Sequence, residues 1–152
     1  MADCTGILCD DGLARLRKGY ADGDGNTIML AGADKNLTSA YEPSGPFVTW
    51  VSDRFYRQGV FSPKERERIL ISVLSDGPAL TLSIHIYWGL MEGLTTQEVA
   101  EILLMTSAYR GLPLYSNQVR VLQKTLQILA DLDEQGSSAP GIAVGSLVQA
   151  YG

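Results

Sequence analysis

One residue of this chain stands out as a proton carrier. His85 is its only histidine, and imidazole is the one side chain whose unperturbed titration falls close to neutral pH. Trp88 follows one helical turn later and can wall a pocket beside it. The phenols of Tyr87 and Tyr109 can meet a substrate oxygen, and the Arg110 fork suits a carboxylate. Each has a plainer reading. A helix histidine can hydrogen-bond within a core or face solvent, aromatic side chains pack, and an arginine at a helix end forms surface or intersubunit salt bridges.

Other residue types with chemical potential fit no motif. Cys4 and Cys9 are spaced C-x4-C, not the C-x-x-C of redox and zinc sites, so they read as two free thiols. The tract Asp22–Asn26 (DGDGN) has the look of a calcium loop. It lacks the ligand spacing and distal Glu of an EF-hand, so a turn or helix stop is expected. No metal site and no cofactor is expected from these residues.

The elements that must position His85 are well punctuated. Ser62-Pro63-Lys64-Glu65 gives an N-cap, a proline at the first helical position and a capping-box Glu, opening a helix to about Leu74. Ser75–Pro78 breaks it. The His85 helix then runs from Pro78 or Ala79 to Glu92 and stops at Gly93, with Leu80, Ile84, Trp88 and Met91 as its apolar stripe. Thr95–Glu98 is a second capping box, starting a helix to about Tyr109 with Val99, Ile102, Leu103 and Thr106 inward. Gly111 and Pro113 interrupt, and a long helix follows from Leu114 to Leu132. Upstream, Phe47–Gln58 reads as a helix with Phe47, Val51 and Phe55 on one face. The predicted fold is all-α, a bundle of about six helices with short antiparallel connections.

Three zones follow. Residues 1–46, rich in Gly and Asp, form an N-terminal arm of the same domain with one short helix near Leu13–Tyr20. Residues 47–133 form the helical core. Residues 134–152, small and glycine-rich, form a flexible tail. The acidic balance, 12 basic against 17 acidic side chains, argues against nucleic acid or an anionic membrane as partner. No apolar run is long enough to span a bilayer. MADCTGILCDDG opens without a basic segment, so no signal peptide is expected and the cytoplasm is the expected location. Trp50, Phe55, Tyr56, Tyr87 and Trp88 are many large side chains for one small bundle, which predicts a homo-oligomer.

The ordered series Ser62-Pro63-x-Glu65-Arg66-Glu67, His85-x-x-x-Gly89-Leu90-x-x-Gly93, Thr95-x-x-Glu98-Val99-x-Glu101-Ile102-Leu103, Tyr109-x-Gly111-x-Pro113 and Asn117 resembles the carboxymuconolactone decarboxylase family, which includes the alkylhydroperoxidase D-like proteins. The resemblance covers about half of the chain and leaves the N-terminal zone unmatched. It implies an all-helical protomer assembling into trimers or hexamers. His85 takes the place of the family's histidine and Glu67 that of its helix carboxylate, with one residue fewer between them than the peroxidase branch has. Within the charged run Lys64–Arg68, Glu67 can instead pair with Lys64 or Arg68 in solvent.

The peroxidase branch works through a C-x-x-C pair at the start of the histidine helix. Ser75–Leu82 contains no cysteine, and Thr81 stands where the second thiol belongs. A threonine hydroxyl forms no disulfide and is a far weaker nucleophile than a thiolate. Dithiol peroxidase or peroxiredoxin-like chemistry is therefore not expected. The decarboxylase branch implies a cofactor-independent lyase acting on a small carboxylated lactone or related carbonyl acid. His85 and Glu67 would be catalytic, with Thr81, Trp88 and Tyr109 lining the pocket. A third reading is an oligomeric binding protein without chemistry. The lyase reading requires an imidazole and an acid from successive helices to share one secluded chamber.

Overall fold

The computed structural model describes residues 6–40, 50, 53–57 and 59–152, with the side chains of 36–40 excepted. Among the described residues there is no strand. The elements are α1 (Asp10–Asp22), α2 (Gly25–Ala40), a single π-helical turn (Asp53–Arg57), α3 (Pro63–Val73), α4 (Ala79–Met91), α5 (Thr96–Arg110), α6 (Leu112–Glu134) and α7 (Pro140–Tyr151). The all-α expectation holds, with more helices than the six expected. Half of the expected Phe47–Gln58 helix lies outside the described residues, as does Cys4; Asp53–Arg57 within it is the π-helical turn.

Helix starts follow local chemistry. Ser62 Oγ accepts from the Glu65 backbone N–H while Glu65 reaches back to the Ser62 N–H at 2.9 Å. Thr95 and Glu98 repeat the arrangement at the start of α5, where the Glu98 carboxylate accepts from the Thr95 N–H at 2.8 Å. Gly93, at φ +102°, turns the chain between α4 and α5, a backbone region that favours glycine.

Glu98 also binds Lys64 and Arg68 of α3. The Thr95 backbone N–H, and after it these two cations, hold its carboxyl well below the usual range, at about 2. The ionised form is bonded only in the folded chain. Its stabilisation is therefore complete above the ordinary carboxylate range and is lost as pH falls toward about 2. Glu98→Gln is expected to lower the melting temperature at pH 6 and to converge on wild type by pH 2. Parallel Tm–pH curves for the two proteins would contradict this.

Helix α4 is the centre of the molecule and packs on α1, α3, α6 and α7. It is buried all round rather than along a stripe. Leu82, Ser83 and every residue from His85 to Met91 are buried, whereas Leu80 and Ile84 of the expected stripe are only half-buried. Helices buried on every side arise where neighbours cover every face. Two of those neighbours correct the expected zones. The N-terminal zone is no arm: α1 and α2 bring Leu13, Leu16, Tyr20 and Met29 into the core. The C-terminal tail is no loose segment: α7 packs on α2, α4 and α6, fully burying Ala143 and Leu147. Asp22–Asn26 spans the end of α1, the turn at Gly23 and Asp24, and the start of α2. Cys9, expected as a free thiol, is disulfide-bonded.

The approach of α3 to α4 is set by a glycine. A Cβ on Gly89 would lie 2.7 Å from Leu94 Cδ1, 3.1 Å from Ile71 Cδ1 and 3.4 Å from Glu67 Cβ. Leu94 and Ile71 are fully buried and have little room to yield. Gly89→Ala is expected to cost about 1–3 kcal/mol by overpacking and to push α3 from α4 at Glu67. Chemical denaturation would read the loss; an unchanged midpoint would refute the tight contact.

Candidate active site

Glu67 on α3 and His85 on α4 meet in the interior. Glu67 Oε2 lies 2.8 Å from His85 Nδ1. Glu67 is 0% exposed and His85 9%. The other carboxylate oxygen, Oε1, accepts from Arg66 Nε at 2.9 Å. The carboxylate is thus clamped between a guanidinium and an imidazole. Lys64 and Arg68, the solvent partners that the charged run offered Glu67, bind Glu98 instead.

This contact defines the roles of the imidazole. A carboxylate only accepts, so the ionised form of Glu67 pairs with an imidazole that carries a proton on Nδ1. Nε2 has no hydrogen-bond partner among the described residues. A buried acid in this position holds the direction of the ring, a relation between carboxylate and imidazole that can serve general acid–base chemistry.

An aromatic wall stands beside the pair. The Trp88 ring lies 6.0 Å from that of His85 at 22° and 5.6 Å from that of Tyr56 at 5°. The Arg66 guanidinium sits 4.6 Å from the Trp88 centroid and 5.2 Å from that of Tyr56, a cation–π contact with both. The Trp88 indole N–H donates to Glu92 Oε1 at 3.3 Å, which also accepts from the Tyr20 hydroxyl at 3.2 Å. Arg17 donates to the carbonyls of Leu90 and Leu94, both at 2.8 Å, and fixes the end of α4. Burial, and after it the Glu67 carboxylate, pushes the Tyr56 phenol up to about 12, so it stays neutral.

Two buried polar atoms lack partners among the described residues, Arg66 Nη2 and the Tyr87 hydroxyl. Leaving such a group unsatisfied costs roughly 1–3 kcal/mol. Arg66 Nη1 reaches the Tyr56 carbonyl at 3.4 Å. Tyr87 packs edge-on against Tyr20, and burial raises its phenol above the usual range.

The structure therefore brings Glu67, His85 and Trp88 together. Thr81 is half-buried one turn before His85 on the same helix face. Tyr109 is elsewhere: it is 91% exposed and lines an open hollow of about 310 Å³ with Arg68, Ser72, Ile102, Met105 and Thr106. Arg110 pairs with Asp76 at the surface and not with the site. A second hollow of about 340 Å³ lies between Arg17, Tyr20, Asp24 and Glu92. Neither hollow is lined by Glu67 or His85. The secluded chamber expected around the pair is neither of these hollows; the pair is walled by Trp88, Arg66 and Tyr56.

Arg66 and Tyr56 were not foreseen. Neighbours on a helix point about 100° apart, so a buried Glu67 gives no reason to expect a buried Arg66. Tyr56 lies in the segment expected as a helix, but off the face formed by Phe47, Val51 and Phe55. Among the described residues no group of three or more His, Cys, Asp or Glu side chains is placed to hold a metal ion. No helix among them is long and apolar enough to cross a membrane. Against known proteins, no family model, no curated protein and no solved structure matches the chain.

Proposed function

We propose that the chain is a cofactor-independent lyase, similar in chemistry to the carboxymuconolactone decarboxylases, acting on a small carboxylated lactone or related carbonyl acid. One observation carries this reading: the buried 2.8 Å contact between Glu67 and His85, which leaves Nε2 as the working nitrogen. In the reaction the bond between carbon and carboxylate breaks and CO2 leaves. The electron pair passes into the lactone carbonyl as a dienolate. His85 Nε2 then delivers a proton to carbon and is reprotonated from solvent, so one proton is consumed for each CO2 released. Glu67 stabilises the imidazolium and holds its orientation. A desolvated wall such as Trp88 favours loss of a carboxylate, because charge spreads as CO2 departs.

The test is CO2 release from a carboxylated γ-lactone, compared between wild type and His85→Gln. Peroxidase activity is disfavoured by the thiol-free segment Ser75–Leu82. A binding protein without chemistry is the second reading. It is favoured by the position of both hollows away from His85, and equal CO2 release by the two proteins, at the uncatalysed rate, would select it.

Assembly into a trimer or hexamer belongs to the same proposal. Tyr87 and Trp88 are buried inside the protomer and offer no surface to a neighbour. Exposed Ile69, Val73, Leu104 and Met105 on α3 and α5 carry the assembly, together with exposed Trp50 and Phe55. Light scattering at micromolar concentration decides; a strict monomer would refute it. A small-molecule partner and no nucleic acid complete the reading. A cytoplasmic location sits poorly with the disulfide at Cys9, because such bonds persist mainly in oxidising compartments.

A further inference from the structure

We propose that Arg66 and Trp88 form a slot for a planar carboxylate, and that Tyr56 fills this slot until the ligand displaces it. Three observations carry the inference. Arg66 is almost wholly buried, yet its Nη2 has no partner among the described residues, while Nε holds Glu67 and Nη1 the Tyr56 carbonyl. A guanidinium nitrogen withdrawn from water calls for an oxygen acceptor, and a carboxylate is the strongest one. The Tyr56 ring lies parallel to Trp88 with the guanidinium against both. A flat ligand in place of that ring would keep the stacking and the cation–π contact while its carboxylate satisfies Nη2.

The third observation is where Tyr56 stands: it is the half-buried outer ring of the stack, carried on a turn at the surface. Its π-helical turn buries no residue, and Phe55 beside it is exposed. Arg57 of the same turn pairs with Asp34 and Asp53 at the surface, where ion pairs contribute little. Trp88, by contrast, is fully buried and fixed through Glu92. The fixed indole is the shelf and the tyrosine is the movable half. A ligand in the slot lies against the indole that His85 also approaches. The inference rests on the reading of Glu67 and His85 as a reaction site and adds how its substrate is held. Arg66 is a binding residue in it, not a catalytic one.

The experiment is titration calorimetry of the full chain with benzoate, benzamide and cyclohexanecarboxylate at fixed pH. Benzoate is expected to bind, with benzamide at least tenfold weaker for want of charge and cyclohexanecarboxylate weaker for want of a flat face. Tyr56→Ala, which removes the competing ring, is expected to tighten benzoate several-fold. Arg66→Lys is expected to weaken it tenfold or more, since an ammonium cannot keep Glu67 and a second carboxylate in one plane. If Arg66→Lys does not fold, Tyr56→Ala and the benzoate–benzamide ratio still decide. Unchanged or weaker benzoate binding by Tyr56→Ala, equal binding of benzamide, or no benzoate binding at millimolar concentration would each overturn the slot. No turnover is read, so failure here leaves the proton chemistry of His85 to its own test, and failure there leaves the slot standing.

Discussion

Glu67→Ala is expected to lower stability by about 3–5 kcal/mol, the cost of breaking a buried ion pair by removing one partner. The carboxylate is fully buried and holds Arg66 Nε and His85 Nδ1 at once. Its removal strands a guanidinium that already has one unsatisfied nitrogen, and it opens a void between Arg66 and His85. For a chain of this length about 2–4 °C of melting temperature accompanies each kcal/mol, so a fall on the order of 10 °C is expected. Glu67→Gln keeps the shape but has one acceptor oxygen for two donors, and it should fall between Ala and wild type. Replacing Arg66 and Glu67 together by methionine is expected to cost less than Glu67→Ala alone, because no charge is then left without its partner. Denaturant midpoints of the four proteins test this. A change within 0.5 kcal/mol for Glu67→Ala, the ordinary result for a solvated residue, would show that the carboxylate does not hold the interior together.

The parts of this fold that could be read in advance are those in which chemistry is local. Two capping boxes, a proline at a first helical position and the glycines after α4 and α5 each act within a few residues, and α3 to α6 fall close to where these signals place them. What could not be read is what covers α4. Helix α7 begins at Pro140, the position at which proline favours a helix start. Gly141 and Gly145 then speak for a loose segment, and only packing of Ala143 and Leu147 against α4 and its neighbours overrides them. Helix α1 is legible near Leu13–Tyr20, whereas α2 is hidden in the same way by Gly23 and Gly25 at their junction. Interior status also erased the stripe of α4: with a covering helix on each side, Leu82 and Leu90 are as buried as Trp88.

The site divides along the same line. His85 is legible as the only imidazole, and Glu67 through its place in a resembling motif. Their juxtaposition needs Gly89 to admit α3, a close approach that no spacing rule reports. Arg66 looked like one more member of a solvated charged run. Its burial depends on Trp88 and Tyr56 offering ring faces to the guanidinium, a tertiary event involving three separate elements. Tyr109, plausible from its place in the resembling series, sits at the exposed end of α5, where its side chain meets another hollow.

His85→Gln is expected to lower CO2 release by about 10²–10⁴-fold, the usual contribution of a positioned general acid or base, while leaving the fold nearly untouched. Glutamine carries an amide N–H that can still donate to Glu67 Oε2, so the buried acceptor keeps a partner and the structural cost should stay near 1 kcal/mol. An amide cannot exchange a proton near neutral pH. The variant therefore separates proton transfer from support of the carboxylate, which Glu67→Ala removes together. The expected signature is a large fall in kcat with a nearly unchanged KM, since a substrate held by Arg66 and Trp88 does not depend on imidazole for its binding. A rise in KM at constant kcat would place His85 in substrate binding instead. Wild-type turnover by a well-folded His85→Gln protein would remove the imidazole from the reaction, leaving the Glu67–His85 contact as a device for burying Arg66.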